Sequence, residues 1–399
     1  MLLYAAFALA LHALLDFPGV KFRSALLFSA LAALNPVTIC TLHSYYVDGH
    51  MASLLTSLFA LTLVLWREKR PLELATLSLA LVLIINTKFP GLGYAFFLSG
   101  GLLAGFLLQR EYRWLLKAGT ACLAAGVIGF GAAGYNPYLT NWKNFGHPLH
   151  PAYGPRAFDD LEMKRFLSTP PNLEDKNRFE AFFISLMSRS DYVSYPRTTR
   201  WKIPFTVTVD EVAWFGNTTI RAGGFGPLFG GIFLLILPLV GAAMLWRVKR
   251  FLPYLGFFLF VAMTIFINPQ CWWARLAPQT WLLPLTLIFF LVRLGPGRKI
   301  ARVYAALLLV LALMNLGIVL GSNAVQQTGR TLLMHRKLDR LARAERPILL
   351  QTGPFHSIRV LLAERGIPFR EVEALPAGGG RGQTLGPGVK VAVLDGRGP

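Results

Sequence analysis

Residues 45–50, Tyr45-Tyr46-Val47-Asp48-Gly49-His50, fill a short gap between two apolar runs, one ending near Leu42 and the next covering 51–66. Asp48 therefore falls at a membrane–water boundary, where a carboxylate is costly unless it faces water, a cation or a partner. Read alone, it is a solvated loop aspartate. The tyrosines and histidine around it, Tyr46 and His50 among them, make it a candidate site instead.

Outward from this stretch the chain is lipid-type sequence. It is 54% hydrophobic and 15% charged, with a mean hydropathy of +0.49, which excludes an ordinary water-soluble domain. Apolar runs cover 2–15, 24–42, 51–66, 72–85, 91–108, 115–134, 226–246, 253–267, 277–292 and 301–321. They predict an all-α polytopic membrane protein of about ten transmembrane helices: a six-helix bundle over 1–134 and a four-helix bundle over 226–321. Between them, 135–225 carries eleven Lys/Arg and nine Asp/Glu and reads as a large outer loop domain. Its proline- and aromatic-rich opening, 136–151, reads as a non-helical path, and 159–166 and 178–187 read as short helices. The tail, 322–399, reads as a small soluble α/β appendage: a basic helix over 330–345, a helix over 355–365, and strands at 347–351, 369–372 and 389–394. A glycine-rich link joins the last two strands.

The net charge of +20 is dispersed through short loops, so nucleic acid is not the expected partner. Loops 17–23, 67–71, 109–117, 247–252 and 293–302 hold fifteen Lys/Arg; loops 43–50, 86–90 and 268–275 hold two, Lys88 and Arg275. By the positive-inside rule the first set is cytoplasmic, which puts Asp48 and the tail outside. That parity also places Met1 outside, so a helix and an outer loop upstream of Met1 are expected. Cys40, Cys122 and Cys271 lie far apart, indicating neither a disulfide framework nor a zinc site.

Each of the two outer cations is the only basic residue of its loop. Arginine's planar fork suits phosphate oxygens, so Arg275 and Lys88, with Asp48 opposite, would frame a site for an anionic lipid. The paired Trp272 and Trp273 read as interfacial anchors, Trp273 also standing next to the candidate site. Asn136, His147 and Arg221, in the aromatic- and glycine-rich ends of the long outer segment, complete the candidate substrate contacts. The glycines at 223–226 read as close-packing positions. Asp48 and Arg275 are expected to face water, so that substituting either leaves stability unchanged.

The layout, with YYVDGH, NPYLTNWKNFGHPLHP, GGFGPLFGG and NPQCWWARLAPQ, resembles the GT-C class of membrane glycosyltransferases: protein O-mannosyltransferases, the lipid A aminoarabinose transferase and their uncharacterised bacterial relatives. The resemblance covers most of 1–321 and leaves out the tail. It implies sugar transfer from a polyprenyl-phosphate carrier to an envelope glycan, lipid or protein acceptor, at the outer face of a bacterial inner (plasma) membrane. It also implies that Asp48 orients the acceptor or a divalent metal ion. The class's principal catalytic acid lies in a first outer loop that this sequence does not contain, which implies an inactive fragment. A transporter or flippase for a lipid-linked anion, or a scaffold of a polysaccharide assembly, would use the same cations without that chemistry.

Overall fold

A computed structural model describes residues 1–159, 162, 169–191, 198–218, 220–245, 252–293, 299–343, 347–352, 356–375, 383–386 and 389–393. Met1–Asn323 forms one compact unit and Ala324–Pro399 a second. The first opens with α1 (Leu2–Leu15), α2 (Phe22–Ala33), α3 (Pro36–Thr41), α4 (Asp48–Glu68), α5 (Pro71–Thr87), α6 (Pro90–Leu108) and α7 (Tyr112–Val127). Three short helices follow, α8 (Thr140–Phe145), α9 (Arg178–Leu186) and α10 (Val209–Trp214). Then come α11 (Phe229–Leu245), α12 (Leu252–Ile267), α13 (Leu282–Arg293) and α14 (Lys299–Arg343).

Among the described residues, four helical stretches are long and apolar enough to cross a membrane: Asp48–Glu68, Pro90–Leu108, Tyr112–Ala132 and Lys299–Arg343. Six shorter apolar helices accompany them. The chain is thus helical and of membrane type. Its polar side chains are handled locally: in α4 the hydroxyls of Thr56, Ser57 and Thr62 donate to the carbonyls four residues back, at 3.0, 2.9 and 2.8 Å. No neighbouring helix has to supply a partner for them.

Several expectations need correction. The run at 24–42 is not one helix. Pro36 cannot extend α2, and Asn35 caps a new helix by accepting from the Val37 amide at 3.0 Å. The opening of the outer segment is partly helical, since α8 occupies 140–145. The basic helix of the tail is the continuation of α14, which runs unbroken for 45 residues because no proline interrupts it. The helix expected over 159–166 and most of the loops at 247–252 and 293–302 lie outside the described residues.

Side-chain bonds sort the loops into two groups. At one end Arg67 donates to the Asp16 carbonyl and Arg293 to that of Pro18, while Lys69 pairs with Glu111 at 2.7 Å. At the other, the Asn35 amide donates to the Pro278 carbonyl at 2.8 Å and the Tyr94 hydroxyl to that of Leu276 at 2.7 Å. Basic loops gather at the first end and the poorly charged loops at the second.

The long segment is closed on itself by a buried ion pair. Lys202 and Glu211 meet at 2.6 Å, with 4% and 2% of their side chains exposed. Glu211 also accepts from the Ser190 amide at 2.9 Å. Burial holds Lys202 below the usual ammonium range, against the opposing pull of Glu211. The glycine run behaves as expected of close packing: Gly226 has a φ of +113°, and a Cβ there would lie 2.3 Å from the Asn315 side chain. Asn315 bonds both neighbours of that turn, accepting from the Leu228 amide at 2.9 Å and donating to the Phe225 carbonyl at 2.8 Å.

In the second unit, β1 (Ile348–Gln351), α15 (Ser357–Glu364), β2 (Phe369–Glu371), β3 (Gln383–Gly386) and β4 (Val389–Val393) form a sheet of order β2-β1-β4-β3. β1 and β2 are parallel, and the other pairs antiparallel. β3 falls inside the segment read as a glycine-rich link. Leu338 and Leu341 from the end of α14 complete this core with Ile348, Leu350, Leu362 and Val391.

Replacing Lys202 by Met removes the cation and leaves Glu211 buried and charged. The expected cost is about 3–5 kcal/mol, the usual penalty for breaking a buried pair from one side. It should appear as a lower midpoint in thermal unfolding of the detergent-solubilised protein.

Candidate functional site

Asp48 is the first residue of α4, where the helix dipole favours a negative charge. Its carboxylate does not face water. Only 2% of the side chain is exposed, because Gly49 behind it lies so close to α3 that a Cβ there would stand 2.4 Å from Thr41 Oγ1. The expectation that Asp48 faces water fails for this reason. Compensation comes from two distant segments: Lys88 Nζ, just after α5, at 2.7 Å from Oδ1, and Arg275 Nη1 at 4.0 Å from Oδ2. The three charges singled out in separate loops therefore share one place, with a net charge of +1.

Arg275 is held between two rings. Its guanidinium carbon lies 4.1 Å from the Trp273 ring centre and 5.0 Å from that of Tyr46. The Trp273 indole is itself fixed, donating to the Ile220 carbonyl at 3.0 Å. Trp272 and Trp273 stack at 5.5 Å and are 4% and 3% exposed, so they are buried supports and not interfacial anchors. Arg275 Nε and Nη1 are covered yet have no hydrogen-bond partner. Such donors are expensive to bury unpaired, and an oxyanion is the partner they fit.

Lys88 and Arg275 line one part of a cavity of about 1690 Å³. Most of its wall is apolar, from Phe89, Leu92, Leu103, Leu123, Val127 and Phe130. Tyr153 and Phe158 come from the outer segment, and Asn268 and Gln270 add polar groups beside Arg275. Sequence reading passed over Tyr153, Asn268 and Gln270. Gln270, a polar residue in an aromatic loop, carried the one usable signal.

The remaining candidates do not join the triad. His50 and Asn136 are exposed, and Asn136 accepts from the Thr140 hydroxyl at 3.0 Å. His147 accepts from the Leu149 amide at 3.2 Å, its ring 6.2 Å from that of Tyr153. Arg221 is fully buried and bound to Asp191 at 2.7 Å, a structural bond within the outer segment. A divalent metal on Asp48 does not fit: both carboxylate oxygens already face cations, and among the described residues no three acidic, histidine or cysteine side chains form a metal-binding group.

Lys88→Met should lower stability by about 3 kcal/mol, the low end for an uncompensated buried charge because Arg275 remains nearby. Asp48→Asn combined with Lys88→Met should recover most of the loss in the same thermal unfolding measurement. Comparison with known protein families, curated proteins and solved structures gives no match for this chain.

Proposed function

We propose that the chain is a membrane glycosyltransferase of GT-C type that binds a polyprenyl-phosphate-linked sugar at its Asp48–Lys88–Arg275 end and transfers the sugar to an acceptor there. One observation carries the reading: a cluster of charge +1, with two guanidinium nitrogens that make no hydrogen bond, stands beside a large apolar cavity. A ligand with an anionic head and a long apolar tail satisfies both halves at once. The topology belongs to the same proposal, with about ten spans, the basic loops in the cytoplasm and the triad outside.

In this reading the acceptor hydroxyl attacks the sugar's anomeric carbon and the lipid phosphate departs, gaining a negative charge. Arg275 and Lys88 stabilise that charge, from positions fixed before the reaction begins. As Lys88 turns towards the leaving phosphate, Asp48 loses its closest cation and takes the acceptor's proton.

Arg275→Ala should weaken binding of the lipid carrier about ten- to a hundredfold, since a charge-assisted bond contributes roughly 1.5–3 kcal/mol. Asp48→Asn should retain carrier binding in the folded fraction and abolish transfer; transfer at the parent rate would remove the enzymatic reading. Topology is checked separately. With the native cysteines replaced, Lys176→Cys in the exposed outer segment should react with an impermeant thiol reagent in intact cells, and Lys21→Cys should not. The reverse pattern would place the triad in the cytoplasm.

A further inference from the structure

At the basic-loop end of the first unit, away from Asp48, ionisable side chains with no part in that site converge. His12 lies in the last turn of α1 and Asp16 caps it, Glu68 closes α4, and Glu73 stands in the first turn of α5. His12 Nε2 is 3.6 Å from Glu73 Oε1 and 3.8 Å from Asp16 Oδ2, facing two carboxyls and hydrogen-bonded to neither.

Glu73 is the anomaly. Its side chain is 10% exposed, Oε2 is covered without a hydrogen-bond partner, and its closest cation, Arg70, is 3.8 Å away. Asp16 Oδ2 is covered and unbonded too. The neighbouring cations are shared with other groups. Arg70 pairs with Glu68, Lys69 with Glu111, and Arg67 donates to the Asp16 carbonyl while lying over the Phe17 ring at 4.6 Å. Arg293 reaches only the Pro18 carbonyl.

A buried carboxylate without hydrogen bonds is relieved by binding a cation or by taking up a proton. Arg70 gives part of that relief to Oε1 of Glu73, and Oε2, which makes no hydrogen bond, is the atom placed to take a proton. We propose that His12, Asp16 and Glu73 form a proton-binding site that fastens the end of α1 to the turn between α4 and α5. The proton comes from solvent and is shared within the cluster, cancelling one of three negative charges that face Arg67 and Arg70.

Burial, with Glu68 alongside as a lesser cause, pushes the Asp16 carboxyl above its ordinary 3.8. A carboxyl raised in the folded state stabilises the fold in acid. That contribution fades as pH climbs from 3.8 through the raised value. The fastening is therefore tightest in acid and loosens as the proton leaves.

The test uses the full chain in detergent, titrated from about pH 8 down to about pH 4, close to the ordinary carboxyl value. Infrared spectra should show a free-acid carbonyl stretch growing towards acid, reduced in Asp16→Asn or Glu73→Gln and lost in the double variant. The unfolding midpoint should rise towards acid in the parent, with a smaller rise in each variant. If the double variant does not fold, the single variants carry both readouts. A free-acid band untouched by either substitution, or a parent-like pH dependence in both single variants, would overturn the proposal.

Discussion

The Asp48 carboxylate, almost wholly removed from solvent, cannot remain charged without a cation against it, and the first unit is arranged around that requirement. Lys88 is delivered by the end of α5 and Arg275 by the short turn before α13. To bring them within 2.7 and 4.0 Å, three connections far apart in sequence must close over one another. The turn holding Arg275 is pinned in its own right, because the Asn268 amide and the Tyr94 hydroxyl both donate to the Leu276 carbonyl, at 3.0 and 2.7 Å. A charge at a helix start thus governs how the loops beyond that end are folded.

Stacking against two rings does for Arg275 what hydrogen bonds do for most buried guanidiniums. Aromatic faces hold the plane in place without occupying its edge. The Trp273 and Tyr46 rings therefore fix the direction of the donors while leaving Nε and Nη1 without a hydrogen bond. The apolar wall beside them offers no polar group to compete for those donors.

Local hydropathy was enough to find the helices, since an apolar run declares itself without reference to its neighbours. It missed the break at Asn35-Pro36, because averaging over a run hides one proline and one cap. It also stopped α14 too early, where polar residues begin but the backbone has no reason to turn. Lys88 and Arg275 could be picked out as lone charges in apolar loops, but the depth of Asp48 could not, being set by α3 packed behind Gly49. His12, Asp16, Glu68 and Glu73 carry no motif or spacing that sets them apart in the sequence. Only the packing of α1 against the turn between α4 and α5 reveals that they share one poorly solvated space. The tryptophan pair misled for a related reason: a boundary position does not say whether a ring faces lipid or protein.

The partners of Asp48 leave the ribosome in a fixed order. Lys88 follows it by 40 residues, at the far end of the hairpin of α4 and α5, so that pair needs no later part of the chain. Arg275 emerges only after the entire 135–225 segment has been synthesised. Until then the cluster is electrically neutral, a state that suits insertion into lipid. The last cation arrives together with its stacking partner Trp273, so the +1 charge is created late, at a place where the Tyr46 ring is already present and the second ring comes with it.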